Sequence, residues 1–481
     1  MSEPIYSYKQ FALTIDPPPR IEGWRNIDIY GLFLCVPITV PVIHIQQYGR
    51  KIGFLIGWVA DRKNLFKDNQ LISIDGISID TFREGLCGRF VLISRETEEQ
   101  ITITTDAGGL FPVVFDSNAK IVASSPAVIS LFRELKFDSA IVDFVKRFDS
   151  TIWYPFGLTP YIGLRRLLPS EVLTFGRNCC AILSAPRLVI PGFPRITAQD
   201  ICVHVAEYVA CFSTDGELSS HLTAGYDSRM VMAAILKSGI DANFITISAK
   251  GSGAKIDVHV AKRLANKIGV EHETIIYEEP LADEVSECLG RVGYCINDAV
   301  ISLCRTVKNN DTGRFTLTGA CGEVGRSFYW MGGDIGSIGL DPSSLIKRLG
   351  FKESSLLISE AKQWLSRFSE NEKRTYILDN AYIDLRLACW AGPSMPGHLI
   401  PKPTISPFNS TLVYRSMLAL DEGYRYSQRF ATDFISAGSV NLLSEDFNRV
   451  SGIARIFYVK NEIKRLLPKS FKQKILQLIA R

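Results

Sequence analysis

At 481 residues, 46% hydrophobic and 22% charged, the chain has the composition of a globular protein large enough for two or three domains. Its net charge of +4, from 54 basic and 50 acidic residues, is too small to argue for a nucleic-acid partner. The 11 cysteines form no Cys-x-x-Cys pair, which argues against zinc and for reduced, mostly buried thiols in a cytoplasmic protein.

Taken in order, the N-terminus lacks the charged-then-apolar pattern of a secretory signal, and Gly31–Ile43, broken by Pro37 and Pro41, is too short to span a bilayer and reads as strands. Further β-type runs follow at Ile52–Val59, Phe90–Ser94, Ile101–Thr105, Val113–Phe115 and Ile121–Ala123, the last two joined by an Asp116–Asn118 hairpin turn. Helical periodicity appears only over Pro126–Leu135. These signals predict a layered, β-rich domain over residues 1–190, closed by the linker Pro191-Gly192-Phe193-Pro194.

Beyond the linker, strands and helices alternate: helix Ala198–Cys211, a strand ending at Leu222, helix Met230–Lys237, strand Asn243–Ser248, helix Asp257–Ile268 and strand Glu273–Ile276. That order predicts an α/β domain over residues 195–481, built on a doubly wound parallel sheet with ligands at the carboxyl ends of its strands. From about residue 340 the chain turns helical. The basic tail (Lys460, Lys464, Arg465, Lys469, Lys472, Lys474, Arg481) reads as the solvated face of a helix.

The chemistry centres on His221–Arg229, a strand, tight turn and helix in succession. The unpaired N–H groups of the first helical turn and the positive end of the dipole make such a turn an anion site, and Gly225 permits close backbone approach. Thr223 and Ser228 add hydroxyl donors. Asp227 would repel a phosphate unless a divalent cation lay between them, so Thr223, Ala224, Gly225, Tyr226, Asp227 and Ser228 read as a loop for metal-bridged pyrophosphate. The plainer alternative is a strand-to-helix turn with Asp227 and Ser228 as caps. A third element, Phe315–Arg326, is a strand ending in a glycine-interrupted acidic turn that carries Gly319 and Glu323.

The loop resembles that of the ATP-pyrophosphatase enzymes and, within them, of the asparagine synthetase family: Thr223 stands for the first Ser, Ala224 replaces the first Gly, and Gly225, Asp227 and Ser228 match. Gly88-Arg89-Phe90, Asp106-x-x-Gly109-x-x-Pro112-x-x-Phe115, Ala123-Ser124-Ser125, Gly157-x-Thr159 and Leu167-Leu168-Pro169 resemble the family's Ntn-hydrolase-like glutaminase domain. That domain's exposed N-terminal Cys is missing. Residue 2 is Ser2, and the first thiol, Cys35, lies in an apolar strand and is expected to be inert, so no ammonia production is expected.

In the second half the resemblance implies that Ile247 and Ser248 hold adenine through backbone groups, that Asp257 and Gly319 lie against nucleotide or substrate, and that Asp227 and Glu323 together hold Mg²⁺. Ala261–Ala265, Ala381–Leu387 and Ile405–Asn409 extend it, with His272 read as a solvent-exposed strand residue. The family's pyrophosphate-stabilising basic residue has three candidates here, Arg386, Lys402 and Lys460. The resemblance implies an ATP-dependent amide-forming ligase that adenylates a substrate carboxylate, releases pyrophosphate, and lets an amine on a small-molecule or peptide substrate displace AMP. β-Lactam synthetases and lasso-peptide cyclases are relatives of that kind; an ammonia-dependent asparagine synthetase and a non-catalytic scaffold are the alternatives.

Overall fold

Strict alternation of side chains organises the first part of the computed structural model, which describes residues 9–98, 100–184, 193–249, 251–310, 313–330 and 339–448. In strand Arg50–Ala60, Phe54, Ile56, Trp58 and Ala60 face one cluster while Leu55 and Val59 face another. In strand Leu32–Pro37, Leu34 and Val36 point inward and Cys35 outward. Period-two patterning of this kind gives each sheet two apolar faces. A six-stranded antiparallel sheet (order 164–166, 114–116, 121–123, 12–14, 32–37, 24–29) therefore shares an inner core with a seven-stranded sheet (179–184, 171–176, 100–105, 87–95, 50–60, 42–47, 71–73). Short helices Pro126–Ile129 and Ile79–Glu84 cover the outer clusters. The expected layered, β-rich architecture is present.

Asp116–Ile121 is the hairpin, with Asp116 Oδ1 accepting from the N–H groups of Asn118 and Ala119 at 2.9 and 3.0 Å. The helix expected over Pro126–Leu135 is shorter. Only Pro126–Ile129 is helical, after which single turns carry Leu131, Phe132 and Leu135 onto the same outer cluster. Ser2, Pro191, Gly192, Lys250 and the basic tail, Lys460 included, lie outside the described residues.

The second part holds a five-stranded, wholly parallel sheet in the order His272–Ile276, Ala242–Ser248, Leu218–His221, Phe315–Leu317, Thr404–Ile405. Two helices begin earlier than their apolar periodicity indicated. One spans Tyr226–Ser238, since Gly225 is its N-cap; the other spans Ser252–Ile268, since Gly251, at φ +128°, makes the turn. Asp257 thus sits in the second helical turn instead of opening the helix. Helix Arg429–Gly438 packs on Tyr226–Ser238 closely enough that a Cβ at Gly438 would stand 2.3 Å from Ala233 O.

The two parts share one hydrophobic cluster running from Phe11 to Leu442. Strand Ile152–Trp153 pairs with Ile296–Asn297 across them, and Arg165 pairs with Glu360 at 3.0 Å. Among the described residues no helix is long and apolar enough to cross a membrane.

Candidate functional site

From the central strand Leu218–His221 the chain moves outward through Ala242–Ser248 to His272–Ile276, then returns to the other side with Phe315–Leu317. The strand order reverses between Leu218–His221 and Phe315–Leu317. In an open parallel sheet the loops leaving two such strands diverge and open a crevice at their carboxyl ends. The 222–225 loop and the 318–326 turn are those two loops.

The first loop is preorganised by its own side chains. Thr223 N–H donates to Ser228 Oγ at 3.0 Å, the two hydroxyls lie 2.8 Å apart, and Gly225 N–H donates to Thr223 Oγ1 at 3.2 Å. Ala224 N–H donates to Asp257 Oδ1 at 2.9 Å, so Asp257 braces the loop from the neighbouring helix. Burial pushes the Asp257 carboxyl up and the Ala224 N–H pulls it back. The N-cap, Gly225, offers no side chain to close the amino end of helix Tyr226–Ser238. Ile247 and Ser248 are half-buried at the end of the adjacent strand.

His272 is half-buried, not solvent-exposed: its Nε2 lies 2.7 Å from Thr246 Oγ1, whose hydroxyl donates to Leu222 O at 2.5 Å. Burial, then Lys262, lower its pKa. An edge-strand position suggested exposure, but this contact draws the ring in behind the loop.

The second turn touches the first. A Cβ on Gly319 would stand 2.6 Å from the carbonyl carbon and oxygen of Asp227, so only glycine lets the backbone pass. Glu323 follows in the short 3₁₀ turn Gly322–Arg326, where its Oε2 accepts from the Tyr382 hydroxyl at 2.6 Å. Burial, then the Asp227 charge, push the Glu323 carboxyl up to about 7. Asp227 itself is ion-paired with Arg326, through Arg326 Nη1 and Asp227 Oδ1.

Several participants carried no role in the sequence reading. Arg326 donates from Nε to Gln428 Oε1 at 3.0 Å, and its guanidinium lies 4.7 Å over the Tyr226 ring. Tyr226 also stacks on Phe447, with the ring centroids 3.8 Å apart. Arg229, fully buried, donates to the carbonyls of Ala224, Leu442, Glu445 and Asp446 at 2.6 to 3.1 Å, and Asn448 N–H donates to Ala224 O at 2.9 Å. The signal for Arg229 is a charge directly before the apolar run Met230–Ile235; for Arg326 it is a cation three residues after the acid.

Of the candidate basic residues, Lys402 is buried and donates to Ser219 Oγ at 2.9 Å, and Arg386 lies 3.9 Å over the Trp390 ring. Neither contact involves the loop. Ile405 belongs to the edge strand Thr404–Ile405, and Asn409 bolts the two parts together by donating to Gly88 O at 2.6 Å and Asp106 Oδ1 at 2.9 Å. Cys35 is buried, its thiol pushed up to about 12 by burial.

These features define a mixed α/β protein with a parallel sheet that presents paired carboxylates beside an open helix amino terminus at its switch point. No protein-family model matches the chain, and no curated protein matches its sequence. Among solved structures it is similar to the allosteric regulatory enzyme of purine biosynthesis, at 14% identity over 40% of this chain and 44% of that one, with a TM-score of 0.16. It is also similar to glutamine phosphoribosylpyrophosphate amidotransferase from B. subtilis complexed with ADP and GMP, at 10% identity over 67% and 72% of the two chains, with a TM-score of 0.20. The chain thus spans less than half of the first structure's length. At TM-scores this low the site's own geometry, and not the likeness, carries the functional reading.

Proposed function

We propose that the chain is an ATP-dependent, amide-forming ligase of the asparagine synthetase type that adenylates a substrate carboxylate and has no glutaminase of its own. The observation that supports this reading is the meeting of two strand-end loops at the switch point, with Gly319 against Asp227 and Glu323 under the charge of Asp227. Paired carboxylates beside an uncapped helix amino terminus are the features a metal-bridged polyphosphate needs.

Among the described residues no three His, Cys, Asp or Glu side chains gather at one point. Two carboxylates suit Mg²⁺, which is commonly bound by one or two acids with water and phosphate oxygens completing the shell. Asp227 and Glu323 would hold it, and the ion would neutralise polyphosphate charge. The chain's own groups do the rest. The first-turn N–H groups of helix Tyr226–Ser238 bind phosphate oxygens, while Asp257 and the Thr223–Ser228 pair fix the loop so that little reorganises on binding. The end of strand Ala242–Ser248, with Ile247 and Ser248, takes the adenine edge.

In this reaction a carboxylate oxygen bonds to the α-phosphorus as the bond to pyrophosphate breaks. An amine nitrogen then bonds to the acyl carbon, AMP departs, and the amine loses a proton. Positioning and charge neutralisation supply most of the rate. In this reading the acceptor amine belongs to the organic or peptide substrate, and the packing role that Asn409 gives the Asp106–Phe115 turn supports it.

Mg-dependent ATP–pyrophosphate exchange, surveyed over candidate carboxylates, is the test. Asp227→Ala and Glu323→Ala should each lower exchange by roughly 10²–10³-fold or more while circular dichroism stays unchanged. Product masses lower by one water would mark a cyclase. Efficient asparagine formation from aspartate and ammonium would favour the ammonia-dependent synthetase, and absence of exchange with every carboxylate would favour a binding scaffold.

A further inference from the structure

The acid expected to hold the metal already holds a cation. Arg326 Nη1 donates to Asp227 Oδ1, its Nε donates to Gln428 Oε1 at 3.0 Å, and Gln428 Nε2 donates back to Arg326 O at 3.2 Å. The guanidinium also lies over Tyr226, a ring fixed by its stack on Phe447. Its side chain is 13% exposed and that of Asp227 is 32% exposed, so the pair is partly desolvated and stronger than one on an open surface.

We propose that Arg326 is a resident cation that competes with a divalent metal ion for Asp227. The inference rests on the reading of this crevice as a metal–polyphosphate site. A metal ion placed between Asp227 and Glu323 would bring two positive charges beside the guanidinium, and repulsion at that range outweighs what one shared carboxylate returns. Metal binding and the Arg326–Asp227 pair therefore exclude each other. Released from Asp227, Arg326 keeps its Gln428 and Tyr226 contacts and turns its donors to phosphate oxygens, for which a planar guanidinium is suited. This makes Arg326 a phosphate-facing positioning residue, in the place left open by Arg386 and Lys402. The pair also keeps Asp227 electrically satisfied, so that metal enters together with the polyphosphate and not alone.

Direct Mn²⁺ titration by electron paramagnetic resonance reads the competition without catalysis. In the nucleotide-free 481-residue chain, Arg326→Met should bind Mn²⁺ about tenfold more tightly than the unsubstituted chain, the equivalent of the ion-pair partner it no longer contends with. Asp227→Asn should lose the site. With inorganic pyrophosphate added, the order should reverse, Arg326→Met binding the Mn²⁺–pyrophosphate pair more weakly. Arg326→Gln, which keeps a donor for Gln428, serves if the Met variant is unstable by circular dichroism. Mn²⁺ affinity in both Arg326 variants equal to or below that of the unsubstituted chain overturns the competition. If ATP–pyrophosphate exchange persists in that case, the ligase reading stands without it; if neither Mn²⁺ binding nor exchange is seen in any variant, both fall.

Discussion

Asp106, in the turn after a strand, and Asp227, in the first turn of the helix after one, are acids from the two parts of the molecule, and they are treated in opposite ways. Asp106 is 1% exposed and accepts from the N–H groups of Phe90, Gly108, Leu110 and Phe111 at 2.8 to 3.2 Å, with Asn409 Nδ2 adding another donor at 2.9 Å. Asp227 keeps about a third of its side-chain surface and is held by Arg326. A carboxylate with its lone pairs filled by backbone is committed to structure, because exchanging any partner strands a buried N–H. A carboxylate held by one side chain can change partners. The difference separates an acid that builds the interface between the two parts from an acid that is available to a ligand, although both look alike in sequence.

The comparison breaks if the two acids fail in the same way. Asp227→Ala should show the largest effect on exchange, as given above, with little change in unfolding. Asp106→Ala should do the reverse: it leaves four backbone N–H groups and Asn409 without their acceptor, and should cost roughly 3–5 kcal/mol in urea unfolding. A stable, inactive Asp106→Ala protein would mean that the first part carries chemistry after all.

A smaller effect sharpens the same contrast. Gly319→Ala puts a methyl group 2.6 Å from the Asp227 carbonyl, and overpacking of this sort costs about 1–3 kcal/mol. The damage should fall on the crevice, because the displaced backbone is that of Asp227. Exchange should therefore drop more than the unfolding midpoint implies. A variant that loses stability and activity in proportion would remove the argument for close contact between the two loops.

What the sequence reveals of this arrangement follows from range. The loop, the glycines and the central strands were legible because local spacing encodes them, as in the run from Leu218 through Ser238. Short strands such as Ala12–Thr14 and Thr404–Ile405 carry too few residues for a period, and Trp24–Ile29, at a sheet edge, breaks its alternation at the adjacent polar pair Arg25 and Asn26; none was anticipated. The partners of the site were hidden for another reason. Arg326 reaches Asp227 across 99 residues and Tyr382 reaches Glu323 across 59, and no local pattern records a contact made only by folding. Asn409 reaches farther still, 303 residues back to Asp106.

Asp384 is a third acid that tests the rule at its weakest point, since it is as buried as Asp106 but has fewer donors. It accepts from Ser170 N–H at 3.2 Å, Ser170 Oγ at 2.6 Å and Trp364 Nε1 at 3.0 Å, with no direct cation contact among the described residues to match Arg326 on Asp227. Burial accordingly pushes its carboxyl up to about 6. The folded state then holds this proton to higher pH than the unfolded chain, whose aspartates titrate near ~3.9. The sign follows from linkage: the contribution is fully present below the unfolded value and is lost as pH rises from there through about 6. Folding stability should thus fall over that window by roughly 3 kcal/mol at most from this group. Asp384→Asn, which keeps an acceptor for Trp364 and presents its amide to the Ser170 hydroxyl, should flatten that part of the curve in urea unfolding run from pH ~4 to ~7. An unchanged slope would show that Ser170 and Trp364 offset the burial that raises this carboxyl, as burial also raises Asp106, and that donor number is the wrong measure of commitment.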